Sequence, residues 1–300
     1  MGKALAIDTR KLTKSYGGSR GIVDLDLKVE EGDFFGFIGP NGAGKSTTIR
    51  TLLGLIHLTS GSAKVLGHDI VDEKEKILSK IGYLPSEIFF YPKMRVKDAI
   101  RYSADLRGAS CGKRAQELCE RLDLDPMKKV EDLSLGNRKK VGIICAVQHH
   151  PDLLILDEPT SGLDPLMQRE FFSILTEENK EGSTIFFSSH ILSEVQAYCR
   201  SAAFIKDGSI LLSDKVADLE QTGTRKISVA GSLTREKLQG IPGITYTEDT
   251  REDELKFLYK GDIQRLLTIL AGEKIRDITI TEPSLEEIFM HYYEAGEERK

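Results

Sequence analysis

No apolar run in this 300-residue chain approaches the roughly 18–20 residues that span a bilayer. The longer ones, such as Val141–Val147, have the length of a core segment. The opening "MGKALAIDTR" lacks the apolar centre of a signal peptide, and Ala6 stands where a myristoylation signal needs Ser or Thr. Cysteine is sparse: Cys111, Cys119, Cys145 and Cys199 form no CxxC pair and no metal spacing with histidine, so they read as reduced thiols in the cytosol. Low-complexity tracts are absent. A net charge of −5 speaks against broad nucleic-acid binding, and Arg138-Lys139-Lys140 is expected to be a solvated helix face. With 40% hydrophobic and 30% charged residues, what is left is an ordinary globular protein of one large or two ordinary domains.

What the sequence does have is "FFGFIGPNGAGKSTTIRTLLGL", residues 34–55. An apolar strand breaks into Gly39-Pro40-Asn41-Gly42-Ala43-Gly44, then Lys45-Ser46-Thr47, and a helical pattern follows at once. Glycines allow a tight turn and a close approach of backbone to a ligand. Strand, glycine loop and helix N-terminus aim free amides and the positive end of the helix dipole at one point, which is an anion site. The run matches G-x-x-x-x-G-K-[ST], in which Lys45 reaches the β- and γ-phosphates of a nucleotide and Ser46 helps ligate Mg²⁺. A second stretch, "PDLLILDEPTSGLDP" at 151–165, reads as a buried strand delivering Asp157 and Glu158 at its C-terminal end. Open α/β sheets place ligands outside that end. Two adjacent carboxylates can divide the work: Asp157 holds Mg²⁺, and Glu158 polarises an attacking water.

Elsewhere, short β-like runs cover Leu5–Asp8, Ile22–Val29 and Phe34–Ile38, with another in "SGSAKVLG". From about Glu73 to His150 the pattern is helical, broken at Pro85, Pro92, Gly108 and Pro126. Strands then return at Leu153–Leu156, Thr184–Phe187, Ala202–Ile205 and Ile210–Leu212, with a helix over Leu166 to Leu175. This alternation implies a mostly parallel sheet covered on both faces. The last eighty residues read as strand Lys226–Ala230, helix Leu233–Gln239, strands Thr245–Glu248 and Glu254–Tyr259, helix Ile263–Leu270 and strand Arg276–Thr281. That order suits a split-βαβ, ferredoxin-like sandwich. A final helix is expected from Ser284, with Glu287 completing a capping box.

Over residues 4 to 220 the sequence resembles the ATP-binding cassette (ABC) family, carried by "GPNGAGKST" and "LLILDEPTSGLDP". The resemblance implies an α/β fold: a P-loop NTPase core with an N-terminal antiparallel β subdomain and a helical subdomain at about 86–150. The ATPase domain is expected over 1–220 and a C-terminal α+β accessory domain over 221–300. "LTKSYGG" resembles the family's A-loop, which implies that Tyr16 stacks on adenine; a strand tyrosine packed in the core is the other reading. "SLGNRKKVGIICAVQHHPDLLILDE" resembles the signature segment, implying that Ser134 and the Gly136 amide contact the γ-phosphate held by a partner cassette. Asp164, in the D-loop, joins the nucleotide contacts on the same ground. "FFSSHIL" resembles the switch segment, which makes His190 the γ-phosphate sensor that orients the Glu158 water.

Two positions depart from the family pattern. The signature commonly reads LSGGQ, and here Leu135 replaces a glycine and Asn137 the glutamine. In "IGYLPSE" Ser86 stands where glutamine or glutamate is usual, and Ser86, Glu87 or water would complete the site. The guanine-reading Asn-Lys-x-Asp of GTPases is missing, since Asn179-Lys180-Glu181-Gly182 lacks the aspartate. The stretch between Lys45 and Ser134 carries no heptads, unlike DNA-repair members of the superfamily. The ending "ITEPSLEEIFMHYY" resembles that of ATPase subunits of type-2 ABC exporters. The expectation is a Mg²⁺-dependent ATPase subunit, homo- or heterodimeric, peripheral on the cytoplasmic membrane face and paired with a permease on another chain. A soluble regulatory ABC ATPase is the alternative. "SEIFFYPKMRV" sets Phe89, Phe90 and Tyr91 in a row; three consecutive aromatics cannot all face one core, so at least one is expected at the surface as a permease contact.

Overall fold

Half-buried strands come first. In the computed structural model, which describes residues 4–18, 21–220, 224–238, 240–246, 254–283 and 287, β1 (Leu5–Ser15) pairs antiparallel with β2 (Gly21–Leu25) and β3 (Lys28–Glu30). The single strand expected over Ile22–Val29 is therefore two. The cause is Thr9, whose hydroxyl donates to Leu25 O and accepts from Leu27 N–H, displacing the ladder between them.

The next strand, β4 (Phe34–Ile38), is buried along its whole length and runs into the phosphate loop and α1 (Lys45–Leu52). β5 (Ser60–Val65) returns to pair with β1, and β6 (His68–Asp69) pairs with β5. After α2 (Lys74–Lys80) comes β7 (Ile81–Leu84), a strand inside the stretch read from sequence as wholly helical. "IGYL" is too short to show a period, and its identity comes from tertiary pairing with the apolar run at 153–156. The helical insert follows: α3 (Val96–Asp105), α4 (Gly112–Arg121) and α5 (Leu135–Val147).

The chain then re-enters the sheet through β8 (Leu153–Asp157), α6 (Pro165–Lys180), β9 (Thr184–Ser189), α7 (Leu192–Tyr198), β10 (Ser201–Lys206) and β11 (Ser209–Lys215). The sheet order is β11-β10-β4-β9-β8-β7, with the pairs from β10 through β7 parallel. Every residue of β4, β8 and β9 is buried, which is what a parallel sheet covered on both faces requires. Within it Phe186 stacks on Phe35 at a ring separation of 5.8 Å and meets Phe37 at a tilt at 5.4 Å. Burying such a side chain stabilises the fold by about 1.5–3 kcal/mol.

The helical insert is tied to the sheet layer by charge as well as packing. Arg121 of α4 reaches Glu170 (2.6 Å) and, bidentate, Glu177 (2.5 and 2.8 Å) on α6, while Arg114 reaches the buried Glu178 at 3.0 Å. The Arg121 contact holds the Glu177 carboxyl below its ordinary range.

By contacts the chain divides into residues 1–213 and 214–300. In the second unit, α8 (Val216–Glu220) precedes β12 (Thr224–Gly231), β13 (Ile244–Tyr246), β14 (Glu254–Lys260), α9 (Ile263–Leu270) and β15 (Ile275–Thr281). The antiparallel order β13-β14-β12-β15 is that of a split βαβ sandwich, with Ile227, Val229, Phe257 and Tyr259 packed on Leu266 and Leu270. The helix expected over Leu233–Gln239 is a 3₁₀ turn, Arg235–Leu238, because the segment's two buried anchors, Leu233 and Leu238, are five residues apart and make no repeating apolar face of an α-helix. Gln239, Glu248 and the helix start at Ser284 lie outside the described residues.

Candidate active site

The loops that follow β4, β7, β8 and β9 all leave the same edge of the parallel sheet, so their residues meet there by topology. After β4, Gly39 leaves no room for a side chain: a Cβ there would sit 2.4 Å from Ile205 O. Gly44 takes φ 111 and caps α1, and no side chain caps that helix end. The first amides of α1 therefore point outward as anion donors. Gly42, also at positive φ, completes the turn. Ala43 is buried and its carbonyl accepts from Gly208 N–H at 2.9 Å, tying the loop to the β10–β11 turn.

Lys45, 5% exposed, donates to the carbonyls of Gly39 (2.5 Å) and Pro40 (3.1 Å) and lies 3.1 Å from Glu158 Oε1. The other carboxylate oxygen of Glu158 lies 2.8 Å from His190 Nδ1. An ionised carboxylate only accepts, so Nδ1 carries the proton of that bond. Glu158 is thus held between Lys45 and His190. Its backbone takes φ 49, a left-handed conformation that costs a non-glycine residue about 1–2 kcal/mol. Ser188 steadies it: the hydroxyl accepts from Glu158 N–H at 3.1 Å and donates to Asp157 Oδ1 at 2.7 Å.

Asp157 is fully buried, and its Oδ2 has no hydrogen-bond partner among the described residues. A buried, unpartnered carboxylate oxygen at the C-terminal end of β8 is a fit for a hard divalent cation. Tyr16, Asn41, Gly42, Gly44, Lys45, Ser46, Thr47, Ser86 and Glu158 line one cavity of about 590 Å³. Tyr16 is 55% exposed there, with the Lys14 ammonium 5.1 Å from its ring, so it is not a core residue. At the departure from the family pattern, Ser86 lines the cavity.

The signature residues lie apart from this cavity. Ser134 caps α5, accepting from Asn137 N–H at 3.3 Å, and Leu135 is exposed. Gly136 faces the Gly162 carbonyl, 2.9 Å from where a Cβ would stand. Asp164 caps α6 through the amides of Leu166 and Met167. No residue of this group shares a cavity with Lys45 among the described residues.

The basic triplet overturns its expectation of a solvated face. Arg138 is exposed, but Lys139 and Lys140 are buried. Lys139 Nζ donates to the carbonyls of Glu158 (3.1 Å), Ser86 (3.3 Å) and Pro85 (3.5 Å). Burial lowers its pKa to about 8, against the raising effect of Asp157 and Glu158. Sequence reasoning missed Lys139 because a triplet of basic residues looks like a polar face, and only the helical phase turns two of them inward. It also missed Ser188, although that serine lies near the end of β9, two residues before His190.

A family profile described as "ABC transporter" matches residues 22–161, and one described as "ATP-binding protein DrrA1-3-like, C-terminal domain" matches 219–293. The chain is 36% identical over 287 residues to the uncharacterized ABC transporter ATP-binding protein YhaQ of Bacillus subtilis, covering 93% of this chain and 95% of YhaQ. It is 39% identical over 208 residues to the bacitracin transport ATP-binding protein BcrA of Bacillus licheniformis, covering 68% of each. The linearmycin resistance ATP-binding protein LnrL of B. subtilis is 30% identical over 305 residues, covering 95% and 97%. Among solved structures, an ATP-binding subunit of an ABC transporter is similar with a TM-score of 0.69 at 28% identity, over 72% of this chain and 92% of that one. The dimeric structure of MJ0796, a bacterial ABC transporter cassette, is similar with a TM-score of 0.64 at 25% identity, over 70% and 98%.

Proposed function

The chain belongs to the family of ABC transporter ATP-binding proteins, an ATP-hydrolysing subunit that energises transport, and on that premise we propose how its residues divide the work. Tyr16 stacks on adenine. The free amides of the loop and of the start of α1, within residues 41–47, and the Lys45 ammonium hold the phosphates, each charge-assisted contact being stronger than a neutral one. Ser46 and Asp157 would hold Mg²⁺, which would supply positive charge against the phosphate that is transferred. Glu158 accepts a proton from the attacking water, and His190 keeps its carboxylate turned toward that water. Ser134, Gly136 and Asp164 act on nucleotide held by a second cassette, in a dimer that closes on ATP and opens after hydrolysis.

The observation that carries this reading is the Glu158 carboxylate, held between Lys45 and His190 beside the buried Asp157. Replacing it tests the reading directly. Glu158→Gln should still bind ATP but slow hydrolysis by at least about 100-fold, and should accumulate as an ATP-bound dimer on size-exclusion chromatography. A variant hydrolysing ATP at the native rate would remove Glu158 from the role.

The transport partner is a permease on another chain. No helix among the described residues is long and apolar enough to cross a membrane. The subunit sits on the inner membrane face, where it meets that permease. The relatives named for bacitracin transport and linearmycin resistance support an exporter, with the substrate chosen by the permease.

A further inference from the structure

We infer that Lys139 is a positioning residue for hydrolysis, a strap inside α5 that fixes the backbone of Glu158 and of Pro85–Ser86 in one arrangement. An ammonium has three N–H donors, and here three backbone carbonyls receive them, at 3.1, 3.3 and 3.5 Å. The carbonyls come from two loops, one at the end of β7 and one at the end of β8. Burying an ammonium costs several kcal/mol, and an apolar side chain of the same volume would pack the helix at lower cost. The carbonyls account for its presence.

Glu158 needs such a strap. Its left-handed backbone is held from the amide side by Ser188 and from the carbonyl side by Lys139 and the Ser161 N–H (3.3 Å). Releasing one side lets the carboxylate drift, and a misplacement of about 1 Å costs roughly 100-fold in rate. Lys139 also sits one turn into the helix that Ser134 caps. Displacement of that helix is therefore felt at once by Glu158 and by Ser86, which lines the nucleotide cavity.

The test measures steady-state ATP hydrolysis and thermal unfolding of the full chain. Lys139→Met keeps the length and removes the donors, and Lys139→Gln supplies two N–H donors on a side chain one atom shorter. Expected is a kcat about 100-fold lower for Lys139→Met with KM for ATP within about threefold, and at least about tenfold recovery in Lys139→Gln. A native kcat in Lys139→Met, an equal loss in both variants, or a loss carried wholly by KM would overturn it. If Lys139→Met does not fold, Lys139→Gln decides: a kcat within about tenfold of native supports the strap, and a lower one rejects it. The inference rests on Glu158 activating the water. Lys139→Met at the native rate beside a slow Glu158→Gln rejects the strap alone, whereas Glu158→Gln at the native rate rejects the reading beneath it.

Discussion

At the scale of single residues, position is bought with buried polar groups. Asp157, Ser188 and Lys139 are each buried and each spend hydrogen bonds on the site's framework instead of leaving them to water. An unpaired buried donor or acceptor costs about 1–3 kcal/mol, so Ser188 and Lys139 persist because the surrounding loops complete them, while Asp157 Oδ2 is left open toward a cation. His149 shows the same economy away from the site. Burial, reinforced by the Arg107 charge, lowers its pKa to about 4, and its Nε2 lies 3.2 Å from Ile81 O. The imidazole is neutral in the folded chain, whereas the unfolded chain titrates near the ordinary value of about 6.5. Between those values the unfolded state binds a proton that the folded state does not, so stability falls as the pH drops from 6.5 toward 4 and is independent of this group above that window. His149→Gln keeps a donor for Ile81 O, and its urea midpoint should vary less steeply over that window than the native protein's. An unchanged slope would show that His149 does not titrate as its burial requires.

At the scale of elements, the loops after β4 and β8 were legible because each follows a strand with a strong signature. The apolar runs Phe34–Ile38 and Leu153–Leu156 and the glycine loop between strand and helix declare themselves from residue type alone. β7 did not, since four residues in a mixed stretch carry no period and become a strand only by pairing with β8. The inward turn of Lys139 and Lys140 was hidden for a related reason: burial depends on helix phase against Pro85 and Glu158, which are far away in sequence. The aromatic row between β7 and α3 was half legible. Phe89 and Tyr91 are 87% and 70% exposed while Phe90 is half-buried, so Phe89 and Tyr91 are the pair available for a permease. Replacing both with serine should leave unfolding within about 0.5 kcal/mol of native and basal hydrolysis intact, and should abolish copurification with the permease. Unimpaired copurification would place the docking surface elsewhere.

At the scale of the whole molecule, a single chain presents the phosphate-loop cavity in one place and the Ser134–Gly136 helix start in another. A second copy related by a two-fold axis can bring each helix start to the other's cavity, making two equivalent sites. The central claim, catalysis at sites shared between two copies, is tested most directly by mixing Lys45→Ala protein with Ser134→Arg protein and measuring ATP hydrolysis. Each variant alone should be inactive. In an equal mixture half the dimers pair unlike chains and each of those keeps one intact site of two, so activity should return to about a quarter of native. No recovery on mixing, or native hydrolysis by Ser134→Arg protein alone, would contradict the account.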